Sequence, residues 1–136
     1  MPAPSVHSDI HSESVTPNVV VTWFVGYVTK ELAEQRYLEF RGLLSACSDP
    51  IWIMELTEMT GFDPRAISAG GEWWKYFKSK HQRRSEILLI STHAAARMAG
   101  ASLGFSIGVG VRSFRSLDEC FNNLGIVIPL HRHTAG

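Results

Sequence analysis

The stretch from Ile51 to Ala66 constrains this chain more than any other. It opens as Ile51-Trp52-Ile53-Met54-Glu55-Leu56, an almost continuous apolar run of strand length, the pattern of a strand buried on both faces. A polar turn follows, and then Asp63-Pro64. An aspartate side chain accepts a backbone N–H at a helix N-cap, and proline at the first helical position gives up a donor that has no intrahelical partner anyway. A buried strand, a polar loop at its C-terminal end and a new helix N-terminus form the usual crevice of an open α/β sheet. The stretch is therefore read as the centre of the sheet, with the Thr57–Phe62 loop as its functional edge.

The segments on either side alternate between strand and helix patterns. From Val6 to Val15 polar and apolar residues alternate weakly, with Val6, Ser8, Ile10 and Ser12 on one side and His7, Asp9, His11 and Glu13 on the other, as in an edge strand with one solvated face. After the turn Thr16-Pro17-Asn18, the run Val19–Val25 has the highest β-propensity in the chain, so the two segments are expected to form an antiparallel hairpin. Thr29 then caps a helix whose apolar stripe is Ala33, Tyr37, Phe40, Leu44 and Cys47, and Ser48-Asp49-Pro50 ends it. The helix from Asp63 is expected to bury Ala66, Ile67, Gly70, Trp73, Trp74 and Phe77. Its Gly70-Gly71 pair costs about 1 kcal/mol per residue relative to Ala and marks either a close approach to another element, the favoured reading, or a break in the helix. Ile87–Ile90 is a second short buried strand. Ser91-Thr92 opens a small-residue helix through Ala94–Ala101, and Phe105, Ile107, Val109 and Val111 alternate with Ser, Gly and Arg in a further strand. Ser116-Leu117-Asp118-Glu119 matches a capping box, and Gly125 is a natural helix stop. The expectation is one α/β domain over residues 6–125, with a mainly parallel or mixed sheet of about five strands, an N-terminal hairpin and about four helices. Residues 1–5 are expected to be disordered, and 126–136 to form a C-terminal extension.

Composition excludes several function classes. Thirteen Lys and Arg balance thirteen Asp and Glu, so the chain lacks the basic excess of a nucleic-acid binder that works through bulk electrostatics. No apolar run approaches the roughly 20 residues that span a bilayer, and the N-terminus lacks the pattern of a secretory signal, so a cytoplasmic protein is expected. Cys47 and Cys120 have neither pairing nor metal spacing and read as buried thiols. His7, Asp9, His11 and Glu13 are ligand types on one strand face, but a solvated face demands the same alternation, so no metal or other cofactor is assigned. His93 reads as structural, and no nucleophile elbow, P-loop or dinucleotide fingerprint is present, so no catalytic residue is assigned. The charge-dense run Lys75–Arg84 reads first as a solvated helix end.

Three segments resemble the STAS domain, the sulfate-transporter and anti-sigma-factor-antagonist family, and within it the bacterial SpoIIAA-like group. Val21-Thr22-Trp23-Phe24-Val25-Gly26-Tyr27-Val28-Thr29 is similar to that family's strand, glycine and helix start. Ile53–Asp63 is similar to its V-D-L-S-x-V-x-x-I-D strand and loop, with Ile87–Ile90 following, and Phe114–Cys120 is similar to its F-x-S-x-E-E-A segment. The resemblance covers roughly Val19 to Leu124 and implies a non-catalytic regulatory module that binds a protein partner. It also implies a serine switch in D-S-S-G, where this chain has Asp63-Pro64-Arg65-Ala66, which keeps the aspartate and loses both hydroxyls and the glycine. The usual phosphoserine switch is therefore not expected here. The expected partner surface comprises Thr57, Glu58, Thr60, Asp63, Arg65, Trp73 and Trp74. Adjacent tryptophans on a helix point about 100° apart, so one of that pair is expected at an interface. A homodimer is expected through the extension Ile126–Leu130 and the exposed tryptophan, the alternative being that the extension adds an intramolecular strand beside the N-terminal hairpin. The alternative function is a carrier of a small apolar ligand or lipid, held between the Ala94–Ala101 helix, the glycine-bearing strand and the Trp pair.

Overall fold

The computed structural model describes residues 7–80, 86–92 and 110–126. The elements run β1 (Asp9–Thr16), β2 (Val19–Val28), α1 (Lys30–Ser45), β3 (Ile51–Glu55), β4 (Met59–Phe62), α2 (Pro64–Lys80), β5 (Glu86–Ile90), β6 (Gly110–Phe114) and α3 (Leu117–Leu124). The sheet order is β1-β2-β3-β5-β6, with β4 also on β2. β1 pairs antiparallel with β2 as the expected hairpin, and every other pairing is parallel. The Ile51–Glu55 strand lies in the middle, between β2 and β5. The chain is thus an α/β domain with a mixed sheet and an N-terminal hairpin. The Ala94–Ala101 segment and the Phe105–Val109 part of the next expected strand lie outside the described residues, as do residues 1–6 and 127–136.

The period of the strands assigns side chains to the two faces. Trp52, Ile87 and Leu89 join one buried cluster with Phe40, Leu44, Trp73, Trp74 and Phe77 from α1 and α2. Ile53, Leu88 and Ile90, one residue out of step, join a second cluster with Val19, Val21, Phe114, Cys120 and Phe121. α1 and α2 share a face because both crossovers, β2 to β3 and β4 to β5, step the same way across the sheet. Their caps follow residue chemistry. Thr29 Oγ1 accepts the Leu32 N–H at 3.1 Å, and Ser116 Oγ accepts the Glu119 N–H at 3.1 Å. Gly125 ends α3 at φ 71°, a left-handed conformation that glycine adopts without a Cβ clash. A buried polar chain ties three strands together. The Ser12 and Thr22 hydroxyls share a 2.9 Å hydrogen bond, and Trp52 Nε1 donates to Thr22 Oγ1 at 2.9 Å.

Four expectations are corrected. The residues read as a polar loop after β3 contain β4, and β3 and β4 lie along β2 like one strand with a bulge. Three steps on β2, from Trp23 to Gly26, face four along the β3–β4 segment, from Glu55 to Met59. Gly26 makes the change of partner possible. It is buried at φ 74°, and its N–H donates to the Glu58 carbonyl at 2.9 Å.

Second, neither Trp73 nor Trp74 is at the surface; they are 3% and 4% exposed. A 100° separation does not force one outward, because α2 lies in the angle between the sheet and α1. Trp73 turns to α1, stacking on Phe40 at 4.5 Å and donating from Nε1 to the Ala33 carbonyl at 3.3 Å, while Trp74 meets Trp52 of the sheet edge-on at 5.9 Å. Third, Ile67 is 54% exposed rather than part of the core. Fourth, α2 runs unbroken through Gly70 and Gly71, and a Cβ at either position meets nothing within 4 Å, so no close approach explains them.

Candidate functional site at the strand ends

The C-terminal ends of β2 and β4 and the N-termini of α1 and α2 meet at one end of the sheet. Pairing there matches Tyr27 with Gly61 and Val28 with Phe62, and the Asp63 N–H donates to the Val28 carbonyl at 2.8 Å. That bond fixes where α2 begins. Asp63 then caps the helix: its Oδ1 accepts the Arg65 N–H at 2.9 Å, and its carbonyl accepts the Ala66 N–H at 2.7 Å.

The Arg65 side chain folds back on the same aspartate. Nε and Nη2 both donate to Asp63 Oδ2, at 3.0 and 2.7 Å, and Nη2 lies 3.8 Å from Glu31 Oε2 in the first turn of α1. The Arg65 hydrogen bonds hold the Asp63 carboxyl below its ordinary value, and the same contact raises Arg65. The four residues Asp63-Pro64-Arg65-Ala66 thus form a closed clasp at the helix start, with a charged link to α1.

Around the clasp, apolar side chains are left in solvent. Tyr27 is 47% exposed, Phe62 45% and Ile67 54%, three of the four large exposed apolar side chains among the described residues. Phe62 and Ile67 stand at N′ and N4 of α2, the positions of a hydrophobic staple. The Tyr27 ring lies beside Gly61, where a Cβ would sit 3.3 Å from ring carbon Cδ1. At the other side of the turn, Glu55 Oε1 accepts both the Thr57 N–H and the Thr57 hydroxyl at 2.7 Å, which closes the bend between β3 and β4.

Of the residues expected at a partner surface, Thr57, Glu58, Thr60 and Arg65 are exposed, and Asp63 is half-buried beneath Arg65. The structure gathers these five at the strand ends. Trp73 and Trp74 lie in the core and do not join them. Tyr27 is not among the residues expected at the site, Phe62 enters it only as the end of the Thr57–Phe62 loop, and Ile67 is expected in the core. The staple spacing around Asp63-Pro64 is the signal that points to the last two. Ser68 is exposed on α2, beyond the clasp. The ligand-type residues of β1 do not converge: Asp9 Oδ1 accepts from Arg36 Nε and Nη2 at 3.1 and 2.9 Å, while the His11 ring stacks on Trp23 at 5.9 Å. No helix of the described residues is long and apolar enough to cross a membrane.

No family model matches the chain. No curated protein matches it either. Solved structures do. One is an uncharacterised protein of Shewanella loihica with a SpoIIAA-like fold, at TM-score 0.68 and 15% identity, covering 90% of this chain and 97% of that one. The anti-sigma factor antagonist SpoIIAA in its unphosphorylated form aligns at TM-score 0.62 and 14% identity, covering 87% and 99%. The Bacillus cell-fate determinant SpoIIAA in its phosphorylated form aligns at TM-score 0.62 and 14% identity, covering 85% and 98%. The chain has the SpoIIAA-like, STAS-like fold.

Proposed function

We propose that this chain is a non-catalytic, regulatory protein-interaction module of the anti-sigma-factor-antagonist-like kind, cytoplasmic and bacterial, which docks a protein partner on its strand-end surface. The observation that carries the reading is the gathering of Tyr27, Phe62 and Ile67, exposed, around the rigid Asp63–Arg65 clasp. Fixed apolar side chains ringed by Thr57, Glu58, Thr60 and Arg65 have the make-up of an interface centre with a polar rim. The surface works without the usual phosphoserine switch, because residues 63–66 offer no hydroxyl and Arg65 already occupies the Asp63 carboxylate. The module also self-associates as a homodimer.

Affinity capture from the source cell tests the docking surface. Wild-type bait retains a partner, and a Phe62→Ala/Ile67→Ala bait with unchanged circular dichroism loses it; equal capture by both baits contradicts the reading. Incubation with an anti-sigma kinase and ATP, followed by peptide mass spectrometry, leaves residues 63–66 unmodified. Stoichiometric phosphate on Ser68 or Thr60, with loss of the partner, means that the switch has moved instead.

A further inference from the structure

The strand-end surface carries more negative than positive charge around its apolar centre. Among the described residues, the ends of β2, β3 and β4 and the first turns of α1 and α2 bring together the carboxylates of Glu31, Glu34, Glu55, Glu58 and Asp63. The cations there are Lys30 and Arg65, and both are already engaged by carboxylates. Arg65 Nη2 lies 2.7 Å from Asp63 Oδ2 and 3.8 Å from Glu31 Oε2, and Asp63, followed by Glu31 and Glu34, raises the arginine's pKa. Lys30 Nζ pairs with Glu34 Oε2 at 3.4 Å. Asp9 and Arg36 pair with each other at 2.9 Å and add no net charge.

Two carboxylates are left with little to hold them. Glu31 is exposed, and the 3.8 Å contact with Arg65 is its one ion pair among the described residues. Glu58 is exposed and makes no ion pair with a described residue. It also stands next to the apolar centre. Its carbonyl accepts the N–H of Gly26, the residue before Tyr27, at 2.9 Å. Exposure then alternates along the chain, with Glu58, Thr60 and Phe62 exposed and Met59 and Gly61 half-buried between them, the period of a strand with one solvated face.

We propose that the partner docked here presents apolar side chains flanked by lysine or arginine, which Glu58 and Glu31 receive. The inference rests on the docking reading above and names the partner's chemistry. An acidic segment that reached Arg65 would stand against Asp63 and Glu31, which already share its guanidinium. A basic segment meets Glu31 and Glu58 without breaking a contact. Such charges at the rim of an apolar centre select the partner and speed its encounter.

The test uses the protein that wild-type bait retains and the Phe62→Ala/Ile67→Ala bait loses, identified by peptide mass spectrometry, purified and passed over the immobilised full chain. Surface plasmon resonance should show Kd raised about threefold in Glu58→Gln and about tenfold in Glu58→Lys, mainly through slower association. Glu39→Lys, at an exposed position two turns beyond Glu31 on α1, should leave Kd unchanged. Raising salt from about 50 to about 500 mM should weaken wild-type binding more than that of Glu58→Lys. Circular dichroism checks each fold, and Glu58→Gln alone carries the test if Glu58→Lys does not fold. A Kd that the Glu58 variants leave unchanged or lower, or that Glu39→Lys raises equally, overturns the inference and leaves the docking surface standing. If no protein is retained, or both baits retain it equally, the docking reading falls and this inference with it.

Discussion

In the C-terminal half of α2, Trp73, Trp74 and Phe77 are buried against Phe40 and Trp52, whereas in its first turn Pro64, Arg65 and Ile67 stand in solvent. One helix thus serves two purposes. Its second half fills the angle between sheet and α1 with aromatic rings, and its first turn buries only Ala66 and presents Pro64, Arg65 and Ile67 to solvent. The exposed turn is tied down by the Asp63 cap, the Arg65 clasp and the Val28 hydrogen bond, and the buried half by packing. An exposed apolar residue on a rigid frame is what an interaction surface needs, since little ordering entropy remains to be lost on binding.

The contrast is sharpest in stability. Trp73→Ala should destabilise the domain by about 3–5 kcal/mol, and Ile67→Ala should stay within about 0.5 kcal/mol of wild type, both read from urea unfolding. Equal losses at the two positions would erase the distinction between the halves. Gly26→Ala comes next. A side chain at φ 74° is strained by about 1–2 kcal/mol, and because Gly26 is where β2 changes partner from β3 to β4, the variant should also speed amide exchange at Met59–Phe62. Gly70→Ala and Gly71→Ala act in the opposite direction. With open space at both Cβ positions, each should stabilise the helix by about 0.5–1 kcal/mol, seen as a higher Tm.

The smallest effect belongs to pH. Asp63 has a folded pKa below its unfolded value of about 3.9, so the clasp's contribution is complete above that value and is lost as pH falls through the lower folded pKa. Carboxyl NMR titration should show the Asp63 pKa below the ordinary aspartate value in wild type and moving up toward that value in Arg65→Ala. An unmoved Asp63 would mean that the clasp is not formed in solution.

Much of the fold was legible from residue patterns. The central strand, the hairpin, the Thr29 and Ser116 caps and the Gly125 stop each rest on a local preference that the structure satisfies with the expected atoms. The Asp63-Pro64 helix start belongs with them. Tertiary geometry decided the rest. Helical periodicity predicts which side chains share a face but not how wide an arc the neighbours cover, so Trp73 and Trp74 are both buried and Ile67 is not. β4 escaped notice because Met59-Thr60-Gly61-Phe62 has little strand character of its own. It forms on β2 after Gly26 opens that edge. The resemblance to the SpoIIAA-like group predicted the scaffold correctly.

The strand-end surface is the proposed seat of the partner. Amide hydrogen exchange on the full chain, with and without the captured partner, tests it directly. The account predicts slowed exchange confined to Gly26–Val28 and Met59–Ile67, with α3 unchanged. Protection of α3 or of the α1 face around the exposed Leu38, with the strand ends unaffected, would contradict it.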